Sequence, residues 1–157
     1  MSTFKSIALA LALVTPLAAC DSGEDQAPVE TRAVEDFSDG MVVQSDSGLF
    51  HATLWSDSGT LEVGRNDLVL RLGFADPNDQ NGEEARGLPI AGARLDLDAW
   101  MPDADTAMAA EPTIEYLGDG EYRIENVVLG EGGVWNVDVE IAVGDNLQES
   151  ISLAFDI

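Results

Sequence analysis

The sequence has 157 residues, with 7 Lys and Arg against 30 Asp and Glu, and a formal net charge of −23 at pH 7. This length fits one folded domain with a short processed segment. The charge argues against nucleic-acid binding, because so acidic a chain repels phosphate backbones. A single Cys and a single His exclude an intramolecular disulfide or a zinc cluster within one chain, and we expect no enzyme. Because the acids are scattered, we interpret them first as adaptation to a saline habitat and second as attraction of cationic partners.

Residues 1–19 have the features of an export signal. Lys5 supplies the positive start, residues 7–14 form an unbroken apolar run, and Pro16 interrupts it. The run is shorter than the roughly 20 residues that span a bilayer. We therefore expect a signal peptide rather than a transmembrane helix.

The end of this segment, Leu17-Ala18-Ala19-Cys20, resembles the lipobox of bacterial lipoproteins. The resemblance implies that the Cys20 thiol is acylated and that Cys20 becomes the mature N-terminus. Two or more acyl chains hold a protein stably on a membrane. The alternative is ordinary cleavage after Ala19, although such cleavage prefers a small residue where Leu17 stands. The prediction is an exported protein, lipid-anchored to the cell membrane and facing the periplasm or cell exterior.

Residues 20–48 are rich in acids, Ser and Gly. The first part of this range has too little apolar surface to offset the entropy of ordering. We expect a flexible, self-repelling acidic tether. Within it, the run Met41-Val42-Val43 predicts either an edge strand or a docking segment.

Residues 49–157 alternate between apolar and polar side chains with a period of two. Trp135, Val137, Val139 and Ile141, for example, are separated by polar residues. This pattern predicts strands with one buried face. We expect an all-β, immunoglobulin-like antiparallel β-sandwich of about seven strands, namely residues 50–55, 68–74, 93–99, 114–117, 122–127, 135–143 and 151–157.

A turn signal, Gly118-Asp119-Gly120, lies between two of these strands and is followed by Tyr122. The stretch resembles the tyrosine corner of immunoglobulin-like sandwiches, which implies that the phenol bonds nearby backbone. The alternative is a core tyrosine without such a bond.

Several short pieces occur in one order between Asp67 and Ile157: Leu68–Leu72, Leu88–Leu95, Trp100–Pro102, Gly118–Tyr122 and Gly133–Val137. Together they resemble the YtkA-like domain, a small immunoglobulin-like module of exported bacterial proteins. The resemblance implies an accessory role, and related domains are linked with copper handling or with oxidases.

Members of that family often carry Met-Pro, a further Met and a Gly-His, which suit soft copper ions. This chain has Met101-Pro102 and Met108 but lacks the Gly-His, and His51 is distant in sequence. The resemblance therefore implies at most a copper site of Met101, Met108 and His51. The alternative is that both methionines pack as ordinary side chains.

The acidic loop at residues 76–84 offers oxygen ligands of the kind that calcium prefers. An EF-hand register fails, because it places Pro77 first and Leu88 twelfth, where carboxylates are needed. An irregular calcium site and a plain solvated loop both remain open.

The sequence also offers less specific candidates. Neither of the acidic pairs, Asp103 with Asp105 and Glu83 with Glu84, has a companion catalytic motif. The tryptophans predict core or rim packing, and Trp100 beside Met101 alternatively lines a recognition patch.

We therefore expect a non-enzymatic, membrane-anchored lipoprotein that acts as an accessory or binding module. It needs no cofactor, and its partner is an unidentified protein or small ligand. The alternative is a periplasmic copper-handling or oxidase-assembly accessory protein.

Overall fold

A computed structural model describes residues 32–75, 87–104 and 106–157, and its regular structure there is all β. The predicted signal peptide, Cys20, the start of the tether, the candidate calcium loop and Asp105 lie outside these ranges. Among the residues described, no helix has the length and apolar character needed to cross a membrane.

Nine strands form two antiparallel sheets in the described ranges. The five-stranded sheet has the order β1-β2-β3-β7-β6, and the four-stranded sheet has the order β5-β4-β8-β9. The strands are β1 (Met41–Gln44), β2 (Phe50–Ser56), β3 (Gly64–Phe74), β4 (Arg94–Met101), β5 (Thr106–Ala107), β6 (Thr113–Gly118), β7 (Glu121–Leu129), β8 (Val134–Val143) and β9 (Leu147–Asp156).

The predicted all-β sandwich is confirmed, and each of the seven predicted strands has a counterpart. Two strands are additional. β1 contains the run Met41-Val42-Val43 and is an edge strand, one of the two interpretations of that run. β5 has only two residues, too few to show a period of two in the sequence.

The core lies between the sheets and is built from the inward side chains of both. Trp135 and Phe155 of the four-stranded sheet and Phe50, Leu70 and Leu72 of the five-stranded sheet are at most 2% exposed. Between the sheets an apolar void of about 20 Å³ remains, room for about one water molecule. The inward faces therefore serve packing, and we expect functional side chains on the outer faces of the sheets.

The segment before β2 packs against the sandwich. The Glu35 amide donates to the Ala154 carbonyl at 2.8 Å, and the Phe37 and Phe155 rings meet edge to face at 5.9 Å. Residues 32–48 thus belong to the packed part of the chain, although they fall within the range predicted as a tether. The reason is that pairing with existing sheet edges satisfies their backbone, while their few apolar side chains join the core.

Tyr122 fixes the corner where the chain leaves the five-stranded sheet for β4. Its hydroxyl donates to the Ile90 carbonyl at 2.7 Å and accepts the Ala93 amide at 3.0 Å. Burial raises the pKa of this phenol. The phenol does bond backbone, but in the segment between β3 and β4 rather than in its own turn.

Candidate functional site

The outer face of the four-stranded sheet carries four carboxylates on two neighbouring strands. Because alternate residues of β4 and β8 face the core, Asp96, Asp98, Asp138 and Glu140 point outward. The register sets Asp96 opposite Glu140 and Asp98 opposite Asp138. We call these four residues the acidic face. Like charges directly opposite each other destabilise a sheet, so this arrangement is not explained by stability.

Two open grooves of about 300 and 320 Å³ flank the acidic face and share Asp96 and Glu140 in their linings. Arg94 borders one groove, and Met108 and Glu111 border the other. Within the described ranges, no group of three or more His, Cys, Asp or Glu side chains is arranged to hold a metal ion. The carboxylates along these open grooves attract cationic groups.

One cation from the chain itself sits at the end of this face. Nη1 and Nη2 of Arg32 donate to the two carboxylate oxygens of Asp138 at 2.6 and 3.1 Å. The same guanidinium lies 5.0 Å from the centroid of the Trp100 ring. A bidentate ion pair and a cation–π contact are the two interactions that distinguish a guanidinium from an ammonium.

Asn136 lies beside this contact, opposite Trp100 in the register and two residues before Asp138. Its side chain is 1% exposed, and Nδ2 finds no hydrogen-bond acceptor among the described residues. A buried donor without an acceptor costs free energy, so this position needs an explanation. We call Trp100, Asn136 and Asp138 the arginine seat.

The other border of the acidic face is formed by the β1–β2 turn and β9. The hydroxyls of Ser150 and Ser152 donate to Oδ2 of Asp46 at 2.7 and 3.4 Å. Ser47 donates to the carboxylate of Glu149, which lowers the pKa of Glu149. These hydroxyls position two further carboxylates next to the acidic face.

A sequence profile of the YtkA-like family matches residues 61–140, a range that includes β3, β4 and most of β8. The chain belongs to the YtkA-like family. Among curated proteins none matches. A solved structure of a copper-bound variant of FetP from uropathogenic Escherichia coli is similar, with 13% sequence identity and a TM-score of 0.48. The similarity covers 78% of this chain and 97% of that one.

The copper set expected from the YtkA-like resemblance is divided between the two sheets. Met101 and Met108 are diagonal neighbours, since Met101 pairs with Thr106 and the Met108 amide donates to the Ala99 carbonyl. Met101 is buried in the core, and its methyl group packs against Gly133. Met108 is half-buried against the same core.

His51 lies elsewhere in this YtkA-like sandwich, buried on β2 between Gln44 and Gly73. The adjoining turn contacts β9 at Ser150, which is level with Asp96 on β4. Met101 lies five residues beyond Asp96 on β4, which corresponds to about 17 Å along the strand from Asp96. The structure therefore brings the two methionines together but does not bring His51 to them.

The remaining predicted residues have separate places. Trp135 is fully buried, Trp55 is half-buried on the other sheet, and Trp100 lines the arginine seat. Asp103 is exposed. Cys20, the loop at residues 76–84 and Asp105 fall outside the ranges that the structure describes.

Sequence reasoning missed the acidic face and Arg32 as parts of one site. The available signal was the run of acids at alternate positions on two predicted strands. Only the pairing of β4 with β8 shows that these acids oppose one another, and Arg32 is 106 residues from Asp138 in the sequence.

Proposed function

We propose that this YtkA-like protein is a non-enzymatic binding module, exported and held at the outer side of a membrane through a lipid on Cys20. The observation that carries the binding role is the acidic face. It keeps two pairs of carboxylates opposite each other, at a cost in stability. A ligand that carries positive charge explains why such a face is kept.

The chemistry of the side chains supports binding rather than catalysis. Acid–base or nucleophilic catalysis at neutral pH commonly depends on an imidazole, and the sequence has one, His51. His51 is buried within β2 of the five-stranded sheet, whereas the acidic face is the outer side of the four-stranded sheet. The carboxylates of the acidic face are therefore assigned an electrostatic role.

The anchor places the module close to the membrane. Residues 21–31 separate Cys20 from Arg32 and reach about 40 Å at full extension. A lipid-anchored Cys20 would keep the sandwich within that distance of the bilayer surface. Partners are then proteins or ligands at the same surface.

A photo-crosslinking residue at Asp98 or Glu140, introduced in native cells, tests the binding role. We expect discrete adducts from these positions and fewer from control positions at Glu115 on β6 and Asp119 in the β6–β7 turn. All four are exposed. Equal labelling from both sheets, or none from Asp98 and Glu140, would contradict the assignment of the acidic face.

The variant Cys20→Ser tests the anchor. We expect the wild-type protein to partition with membranes and to carry the mass of its acyl chains. The variant should lose both properties. Unchanged partitioning, together with a wild type that carries no lipid mass, would remove the lipoprotein proposal.

The second candidate function is copper handling, and the proximity of Met101 to Met108 favours it. A Cu(I) chelator competition on the mature protein separates the two candidates. If the protein is a binding module without a copper role, we expect it to take no more Cu(I) from the chelator than the double variant Met101→Leu/Met108→Leu does. Competition that this double variant abolishes would assign copper handling instead.

A further inference from the structure

We propose that the arginine seat is a docking site for an arginine side chain of a partner protein, and that Arg32 occupies the seat when the partner is absent. This inference rests on the proposed binding role and names the partner's chemistry, an extended segment with arginines at alternate positions.

The geometry of the seat is selective for guanidinium. Asp138 accepts two parallel N–H groups from Arg32, at 2.6 and 3.1 Å, while the Trp100 ring covers the same group at 5.0 Å. A planar guanidinium makes both contacts at once, whereas an ammonium is a point charge and makes neither a bidentate nor a stacked contact as well. The occupant is therefore arginine rather than lysine.

With Arg32 bound, the arginine seat still contains a buried donor without a hydrogen-bond acceptor, Nδ2 of Asn136. A guanidinium has donors only, so Arg32 gives Nδ2 of Asn136 no acceptor, and the other described residues give it none. A peptide segment that brings its own arginine also brings backbone carbonyls. One of these carbonyls can accept a hydrogen bond from Nδ2 of Asn136 once Arg32 and its segment are displaced.

The rest of the acidic face continues the site beyond the seat. Asp98 and Asp96 follow Trp100 at two-residue intervals on β4, and Glu140 follows Asp138 in the same way on β8. Alternate side chains of an extended segment have the same spacing, about 6.7 Å. A segment with cationic residues at every second position thus matches the face in both charge and period.

A second copy of this chain is a poor occupant, because each copy has a net charge of −23 and copies repel each other. A partner with clustered arginines has complementary charge and gains from the same field. The partner is therefore a different protein.

Arg32 is held by a short segment that can leave. Residues 32–37 contact the sandwich through the Arg32 guanidinium, through the bond from the Glu35 amide to the Ala154 carbonyl, and through the Phe37 ring on Phe155. An internal occupant lowers the apparent affinity for a partner by the fraction of time that the seat is free. Removing Arg32 should therefore raise the affinity.

The test uses the acetylated and amidated peptide Arg-Ser-Arg-Ser-Arg-Ser-Arg, its lysine counterpart, and fluorescence anisotropy in about 0.15 M salt. Arg32→Gln should tighten binding of the arginine peptide about tenfold. Arg65→Gln changes the net charge equally but lies on the other sheet, where Arg65 pairs with Asp67, and it should change binding less than twofold.

The seat itself is tested in the Arg32→Gln background. Asp138→Asn or Trp100→Leu should weaken binding about tenfold. Asp57→Asn, which removes the same charge as Asp138→Asn from a distant exposed pair with Arg123, should weaken it less than twofold. The lysine peptide should bind at least fivefold more weakly than the arginine peptide.

Hydrogen exchange gives an independent readout on the wild type. The Glu35 amide donates to the Ala154 carbonyl. Its exchange should accelerate when the arginine peptide binds, because the segment that carries Arg32 and Glu35 then leaves the surface of the sheet.

Three results would overturn the inference: equal effects of Arg32→Gln and Arg65→Gln, equal binding of the two peptides, or unchanged Glu35 exchange at saturation. If crosslinks from Asp98 and Glu140 persist in that case, only the arginine assignment fails. If they are also lost, the proposed binding role fails.

Discussion

Single residues hold this sandwich together at two kinds of position. Trp135 is a core anchor whose ring is fully buried and whose Nε1 donates to the Glu131 carbonyl at 3.0 Å. Asp67 acts instead at the surface. Its Oδ1 accepts the amide of Asn126, a residue at φ +70°, and both of its oxygens accept Arg65. The two residues are therefore sensitive to different perturbations.

Trp135→Ala should destabilise the domain by about 3–5 kcal/mol, because it removes a large buried ring and leaves a cavity. Thermal unfolding should shift down by roughly 10 °C or more. Trp55→Ala, at a half-buried position on an outer face, is the control and should shift the midpoint less. A midpoint for Trp135→Ala within a degree or two of wild type would contradict the core assignment.

Asp67 should make folding pH-dependent. The bond from the Asn126 amide and then the pair with Arg65 hold the pKa of Asp67 below its usual value. The stabilisation is therefore present above the ordinary pKa of an aspartate and is lost as the pH falls through the lower, folded-state pKa.

Urea unfolding between pH 6 and pH 2 measures this effect. Asp67→Asn should show a shallower fall in the free energy of unfolding than the wild type does. Asp103→Asn, at an exposed position, should follow the wild-type slope. A wild-type slope in Asp67→Asn would rule out this role.

The elements show what the sequence does and does not predict. Alternation predicts the seven longer strands, because burial of one face imposes a period of two. It misses β5, which is too short for a period. Alternation also marks Asp96 and Asp138 as outward, yet the opposition of the acids depends on the register between β4 and β8. Register is a property of two strands that no single stretch of sequence contains.

The β6–β7 hairpin gives a prediction at this scale. Gly118 and Gly120 both have positive φ, +117° and +79°. A Cβ at Gly120 would lie 2.5 Å from the Leu72 carbonyl oxygen, whereas a Cβ at Gly118 meets nothing within 4 Å. Gly118→Ala should therefore lose only about 1–2 kcal/mol, the strain of a Cβ at positive φ. Gly120→Ala should lose more, because β3 has to shift as well. Chemical denaturation of both variants measures the difference, and equal losses would show that the close approach is unimportant.

The whole molecule carries a net charge of −23, and its stability should depend on this charge. Acids that repel one another oppose the compact state, and salt screens them within a Debye length of about 10 Å at 0.1 M. The acidic side chains repel one another whether they adapt the protein to a saline habitat or attract a cationic partner. The acidic face concentrates it on one side of the molecule.

Raising NaCl from 0.02 to 0.5 M at pH 7 should raise the thermal midpoint. At pH 3, where most carboxyls are protonated, the same series should raise it much less. The pH 3 series controls for effects of salt other than screening. A midpoint that is independent of salt at pH 7 would show that the acids are too far apart to matter.

The hydroxyl of Tyr122 joins two points on either side of the corner between Ile90 and Ala93, where the chain passes from one sheet to the other. A single oxygen therefore links the segment after β3 to the start of β4, next to the bond from the Ile90 amide to the Leu72 carbonyl. A phenolate could no longer donate a hydrogen bond to the Ile90 carbonyl, so strong alkali should weaken this corner. The corner that leads into β4 would then loosen, while β4 stays paired with β8 and the hairpin of β6 and β7 stays paired.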